Sequence, residues 1–202
     1  MLDTHARKIF NPIFNKIAKI MISLKLSANQ ITAIAFVIGI LSAVALYFNK
    51  YLLSFLFLWL SGLFDAVDGE VARLSNKKSL IGAQLDIVSD RTVELAFIWA
   101  IAFNHKELLY ELLFLVSMIL ISMTVFLTTG MIAKNNTKKS FYYQSGLMER
   151  TEGFIMFSLM IIFREKMRLV IIIYAILILI TIIQRLVETI KMNREVRNEE
   201  NN

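Results

Sequence analysis

Six stretches of this chain are each long and apolar enough to cross about 30 Å of hydrocarbon as a helix rising about 1.5 Å per residue. They run from Ile31 to Phe48, Tyr51 to Leu74, Leu80 to Phe103, Leu108 to Ile132, Leu147 to Phe163 and Met167 to Ile190. A soluble domain of 202 residues would not carry so many such runs, and the 57% hydrophobic content and mean hydropathy of +0.62 agree. Backbone polar groups in lipid must be satisfied within the protein, which leaves helices as the reading. The expected fold class is all-α integral membrane with six transmembrane helices.

An amphipathic helix is expected ahead of them. Ile9, Phe10, Ile13, Phe14, Ile17, Ile20, Met21 and Leu24 recur at helical spacing, with Arg7, Lys8, Asn15, Lys16 and Lys19 largely off that face. The pattern suits a helix lying in the membrane interface or packed beside the first span. Asn11-Pro12 fits a helix start, and Ser27 with Gln30 fits a capping box at the first span. The expected organisation is residues 1–26 as this helix, 27–192 as a transmembrane catalytic domain and 193–202 as a polar, frayed tail. The first apolar region is broken by charges and lacks a small-residue cleavage site, so no cleaved leader is expected.

Charge sets orientation. With the N-terminus inside, 16 of the 22 Lys and Arg fall on the cytoplasmic side and 5 outside, with Arg91 within the third span. The positive-inside rule then places both termini in the cytoplasm of a multi-pass cell-membrane protein. The net charge of +6 flanks hydrophobic spans, which points to an anionic membrane surface and not to nucleic acid. Lys134, Lys138 and Lys139 fit a basic cytoplasmic loop. Without cysteine there is no disulfide, thiolate metal site or thiol nucleophile, and His5 and His105 have no partner at ligand spacing.

Chemistry concentrates in one hairpin. Asp65 and Asp68 are three apart on the second span, and Asp86 and Asp90 four apart on the third, so each pair shares a helix face. Asp65 lies about 21 Å below the outer end of its helix and Asp86 about 9 Å above the inner end of the next, which puts the acids at one level. Each buried aspartate costs about 2.5–3.5 kcal/mol on insertion scales, and repulsion adds to that. Arg73 and Arg91 cannot neutralise four acids; divalent cations can. All-oxygen ligation favours Mg²⁺ or Mn²⁺ over zinc. Two such ions would suit attack on a phosphoryl centre, with Asp90, nearer the helix centre, accepting a proton from the attacking hydroxyl. Buried acids also line ion and proton pathways. Their confinement to one hairpin, interleaved with Gly69, Ala72, Gly82 and Ala83, favours a site for a bulky ligand.

The stretch from Asp65 to Asp90 resembles the signature of the CDP-alcohol phosphotransferases, Asp-x2-Asp-Gly-x2-Ala-Arg-x8-Gly-x3-Asp-x3-Asp, at every fixed position. Six spans behind a juxtamembrane helix are also similar to that family. The resemblance implies that Asp65, Asp68 and Asp86 bind metal, that Asp90 completes the second of two metal sites and acts as general base, that Gly69, Ala72 and Gly82 shape the nucleotide pocket, and that Arg73 contacts the CDP diphosphate. Members often carry Pro-Asn before the first span, near the cytidine; here the pair is Ala28-Asn29, so Asn29 keeps that place. A homodimer is implied on the same ground.

The implied reaction moves a phosphatidyl group from CDP-diacylglycerol, or a related CDP-lipid, to a polar alcohol and releases CMP. A CDP-aminoalcohol:diacylglycerol phosphotransferase is the alternative within the family, and an ion or proton transporter the alternative outside it. Arg150, opening the fifth span, and Arg185, inside the sixth, offer guanidinium forks suited to phosphate. They favour a phosphorylated acceptor such as inositol phosphate or glycerol phosphate, whereas pairing with Glu149, Glu152 or Glu188 would make them structural.

Overall fold

The computed structural model describes residues 2–75, 79–136 and 146–200, with side chains described for 11–75, 79–131 and 146–191. Among the described residues seven α-helices follow one another: α1 Leu2–Ser23, α2 Ala28–Tyr47, α3 Tyr51–Leu74, α4 Leu80–Asn104, α5 Leu109–Asn136, α6 Arg150–Ile162 and α7 Met167–Glu200. Short 3-10 turns, Lys106–Leu108 and Arg164–Lys166, lead into α5 and α7, and no strand occurs among the described residues. The expected basic loop falls largely on residues 137–145, which lie outside the described residues.

Local chemistry sets the helix ends. Ser27 accepts from the Gln30 backbone N–H while the Gln30 side chain accepts from the Ser27 N–H, the expected capping box. α1 and α2 both end without glycine. Lys25 and Asn49 take left-handed conformations at φ 59° and 58°, each followed by a 6→1 bond, Leu26 N–H to Met21 O at 3.1 Å and Lys50 N–H to Ala45 O at 2.8 Å. These are Schellman closures. α1 does not begin at Pro12 but runs through it. Proline removes one rung of the ladder, and the helix continues on both sides of it.

The contacts divide the chain into two compact units, residues 4–109 and residues 110–202 together with the first three. In the first, α2 packs against both α3 and α4. Hydroxyl bonds between α2 and the antiparallel α3 fix their register: Ser42 Oγ donates to Ser54 O at 2.8 Å, and Ser61 Oγ to Ala35 O at 2.7 Å. Gly39 lets three helices meet, since a Cβ there would lie 2.6 Å from Val93 Cγ2 and 2.9 Å from Ser61 Oγ. Asn104 Nδ2 donates to the Leu46 and Tyr47 carbonyls, tying the ends of α2 and α4. Phe14, Ile17, Ala18 and Met21 of α1 pack on Ile31, Val67 and Val71, while Lys16 and Lys19 are exposed.

In the second unit Phe157 of α6 meets Tyr174 of α7 edge-on, 5.7 Å between centroids, and Gly153 leaves room for the Tyr174 hydroxyl. Thr129 and Thr189 join α5 to α7 at 3.0 Å, as does an Arg168–Glu111 ion pair.

Among the described residues, four segments are long and apolar enough to cross a bilayer: Ala28–Tyr47, Tyr51–Leu74, Lys106–Met131 and Arg164–Lys191. α4 has the length but carries Asp86, Asp90, Arg91 and Glu94. α6 has 13 residues and starts at Arg150, not at Leu147. The Leu147 and Met148 N–H groups instead donate to Gln184 Oε1 and Thr181 Oγ1 of α7, at 3.1 and 2.9 Å. α7 continues to Glu200, past the expected end at Ile190, through a run of good helix formers. Leu52, Trp99 and Leu120, 74%, 61% and 66% exposed, belong to an outer surface suited to lipid contact.

Candidate active site

Asp65 and Asp68 project from one face of α3 and Asp86 from the first turns of α4, and one carboxylate oxygen of each lies within 4.8 Å of the others. Asp68 is buried and the other two half-buried. The depth match expected from helix rise therefore brings carboxylates of two helices together. Asp90 is half-buried, one turn beyond Asp86 on α4, and outside that trio. Thr32 of α2 donates its hydroxyl to Asp68 Oδ2, a contact joining two buried side chains.

Beside the carboxylates lies a cavity of about 250 Å³. α2 lines it with Ala28, Asn29 and Thr32, α3 with Asp68, Gly69, Ala72 and Arg73, and the start of α4 with Ser79, Gly82, Ala83 and Asp86. Five residues expected at the nucleotide, Asn29, Gly69, Ala72, Arg73 and Gly82, thus share one wall system with Asp68 of the expected metal site. The two glycines serve differently. A Cβ at Gly82 would come within 2.9 Å of Ser79 Oγ and 3.0 Å of Asn29 Oδ1, so hydrogen there lets α4 approach α2. Among the described residues a Cβ at Gly69 would meet only Arg73 Nη1, at 3.7 Å, and Gly69 lines the cavity.

The arginines of the hairpin pair with glutamates of their own helices. Arg73 Nε donates to Glu70 Oε2 at 3.0 Å, and Asn15 of α1 donates to Glu70 Oε1 at 3.4 Å. Arg91 pairs with Glu94. Neither charge is therefore wholly available to offset the aspartates. Glu70 and Glu94 were legible as i,i+3 partners; Ser79, which caps α4 by accepting from Gly82 N–H at 2.9 Å, precedes its helix as caps do. Thr32 left no such local signal.

Arg150 and Arg185 belong to the second unit. Arg185 is buried, donates to Ser122 O and Oγ at 3.3 and 3.1 Å and lies over the Phe126 ring at 5.0 Å. Arg150 lies over Phe154 at 5.8 Å. Buried Glu149 accepts from Gly146 N–H at 3.1 Å.

The trio fits a hard divalent cation. Its donors are all carboxylate oxygens, the set that Mg²⁺ and Mn²⁺ prefer. Two donors on one Mg²⁺ at about 2.1 Å each can be at most about 4.2 Å apart. Oxygens within 4.8 Å of one another are at, or within small side-chain rotations of, the spacing that closes on an ion.

A polytopic helical fold that gathers acids around a small-residue cavity defines a class of membrane-embedded enzyme sites. Residues 25–192 match the model of the CDP-alcohol phosphatidyltransferases, and the chain belongs to that family. The bifunctional IPC transferase and DIPP synthase of Aquifex aeolicus is 40% identical over 82 residues, 41% of this chain but 19% of that one. The phosphatidylinositol phosphate synthase of Corynebacterium glutamicum is 30% identical over 161 residues, covering 77% of this chain and 71% of its own length. The fold resembles the crystal structure of the Mycobacterium tuberculosis phosphatidylinositol phosphate synthase with CDP-DAG bound, at TM-score 0.71 and 20% identity over 88% of this chain and 94% of that one. The same protein in complex with manganese and citrate gives a TM-score of 0.69 at 21% identity, over 87% of this chain and 88% of that one.

Proposed function

We propose that this protein is a divalent-metal-dependent transferase that moves a phosphatidyl or related lipid-phosphate group from a CDP-lipid to the hydroxyl of a polar alcohol carrying its own phosphate, such as inositol phosphate or glycerol phosphate. The observation that carries the reading is the approach of Asp65, Asp68 and Asp86 to within 4.8 Å beside a cavity walled by the motif's small residues. Both termini and the site face the cytoplasm, α2 to α7 span the bilayer, and α1 rests at its inner surface.

Asp65, Asp68 and Asp86, with Asp90 nearby, would hold Mg²⁺ or Mn²⁺, which when bound polarises phosphate oxygens and offsets charge on the departing nucleotide. A cavity of about 250 Å³ suits the nucleotide part of the donor, leaving acyl chains to run along the apolar helices. Gly69 and Ala72 let the diphosphate lie close to α3, and Arg73 swings from Glu70 to meet it. Asn29 faces the cytidine. The acceptor hydroxyl passes its proton to Asp90 as its oxygen bonds to the lipid-side phosphorus; the bond from that phosphorus to the bridging oxygen breaks, and CMP departs with the electron pair. Arg150 and Arg185 are the candidate groups for the acceptor's phosphate.

Support for a phosphorylated acceptor comes from the phosphatidylinositol phosphate synthases among the relatives and from the two arginines. The test is CMP release by purified protein from CDP-diacylglycerol with Mn²⁺, across paired phosphorylated and unphosphorylated alcohols. Turnover with inositol phosphate or glycerol phosphate and none with inositol or glycerol is expected. Turnover with unphosphorylated alcohols alone overturns the acceptor assignment. Ion flux in liposomes without CMP release overturns the enzyme.

A further inference from the structure

Thr32 lies outside the acidic hairpin, on the helix before it, yet its hydroxyl reaches the most buried of the three clustered carboxylates. Thr32 and Asp68 are each 6% exposed. Two acceptors are within its reach, Asp68 Oδ2 and the Ala28 carbonyl at 3.1 Å. A hydroxyl has one proton to give, and the charge-assisted bond to the carboxylate takes it. The pairing is fixed from both ends. The capping box at Ser27 starts α2 one turn before Thr32, and the Ser61–Ala35 and Ser42–Ser54 bonds lock α2 against α3 further on.

We infer that Thr32 is a positioning residue: its hydroxyl holds the Asp68 carboxylate in the rotamer that a divalent cation requires. The inference rests on the metal-dependent reading above. Asp68 has two rotatable side-chain bonds, and a carboxylate that must be oriented before it can ligate loses affinity for the ion. Outer-sphere hydrogen bonds of this kind typically carry about 10- to 100-fold in metal affinity or activity. The same bond links the cation site to the nucleotide wall, because Ala28 and Asn29 line the cavity on the turn that Thr32 closes.

The experiment measures Mn²⁺ binding directly, by electron paramagnetic resonance on purified full-length protein without substrate, beside the Mn²⁺ dependence of CMP release. Thr32→Val keeps the shape and removes the donor. It should raise the Mn²⁺ dissociation constant and the half-saturating Mn²⁺ concentration about 10-fold or more, with much of kcat recovered at high Mn²⁺. Thr32→Ser keeps the donor and should stay within about 3-fold of wild type. Unchanged Mn²⁺ binding in Thr32→Val, or equal loss in Thr32→Ser, overturns the positioning role. If Thr32→Val is not recovered folded, Thr32→Ala takes its place in the comparison. Wild-type protein that binds no Mn²⁺ would instead overturn the functional reading itself, so the two failures are distinct.

Discussion

At the residue scale, the motif's positions separate by what each side chain touches. Asp90 lies one turn along α4 from Asp86 and outside the close trio, and in the proposed reaction it takes the proton of the acceptor hydroxyl. Asp90→Asn keeps size and removes basicity. It should lower kcat about 10²- to 10⁴-fold while CDP-lipid binding, followed by thermal shift, stays close to wild type. The glycines offer a second separation. Gly69→Val projects into the cavity, where the side-chain atom of the described residues that meets the added Cβ is Arg73 Nη1, at 3.7 Å. It should weaken nucleotide binding and leave the melting temperature nearly unchanged. Gly39→Ala is the reverse: its Cβ would sit 2.6 Å from Val93 Cγ2 at a junction of three helices. Overpacking there should cost about 1–3 kcal/mol of stability, read as a lower melting temperature, with nucleotide affinity retained in the folded fraction.

At the element scale, helix existence was legible because each span is an apolar run with polar ends, and α2, α3 and α4 begin and end within three residues of where those runs do. α6 also begins within three residues of its run, at Arg150; ahead of it the Leu147 and Met148 N–H groups donate to Gln184 and Thr181 of α7, and no pattern around residue 147 records that. The acidic cluster was legible from spacing and helix rise alone; the Thr32–Asp68 bond was not, because it needs the α2–α3 register that buried serines set. The capping box could be read from four residues and has a function-level consequence. Ser27 starts the turn that carries Asn29 into the cavity wall. Ser27→Ala should cost about 1 kcal/mol of helix stability. It should also raise KM for the CDP-lipid more than it lowers kcat, because the displaced wall binds donor and does not move protons. Equal loss in both would place the effect on the chemistry instead.

At the scale of the whole molecule, the two helices that fall short of a simple apolar span carry the topology. α4 holds four charged side chains, and they are partly accounted for: Arg91 pairs with Glu94, and Asp86 joins the carboxylate trio. α6, at 13 residues, rises only about 20 Å. The chain bends at Leu147 and Met148 just ahead of α6, and irregular chain is tolerated at membrane depth where protein satisfies its polar groups. That condition is met at Gly146, Leu147 and Met148, whose N–H groups donate to Glu149, Gln184 and Thr181. The proposed topology has six crossings, with the turns after α2, α4 and α6 outside. The chain has no cysteine, so single substitutions report position without background. Lys50→Cys, Lys106→Cys and Lys166→Cys should react with an impermeant maleimide added to intact cells, and Lys19→Cys and Ser75→Cys only after permeabilisation. Labelling at Lys50 and Lys106 but not Lys166 would mean that α6 does not cross. Labelling at Lys50 alone would show that the acidic hairpin's second helix fails to span, and with it the bilayer placement of the site.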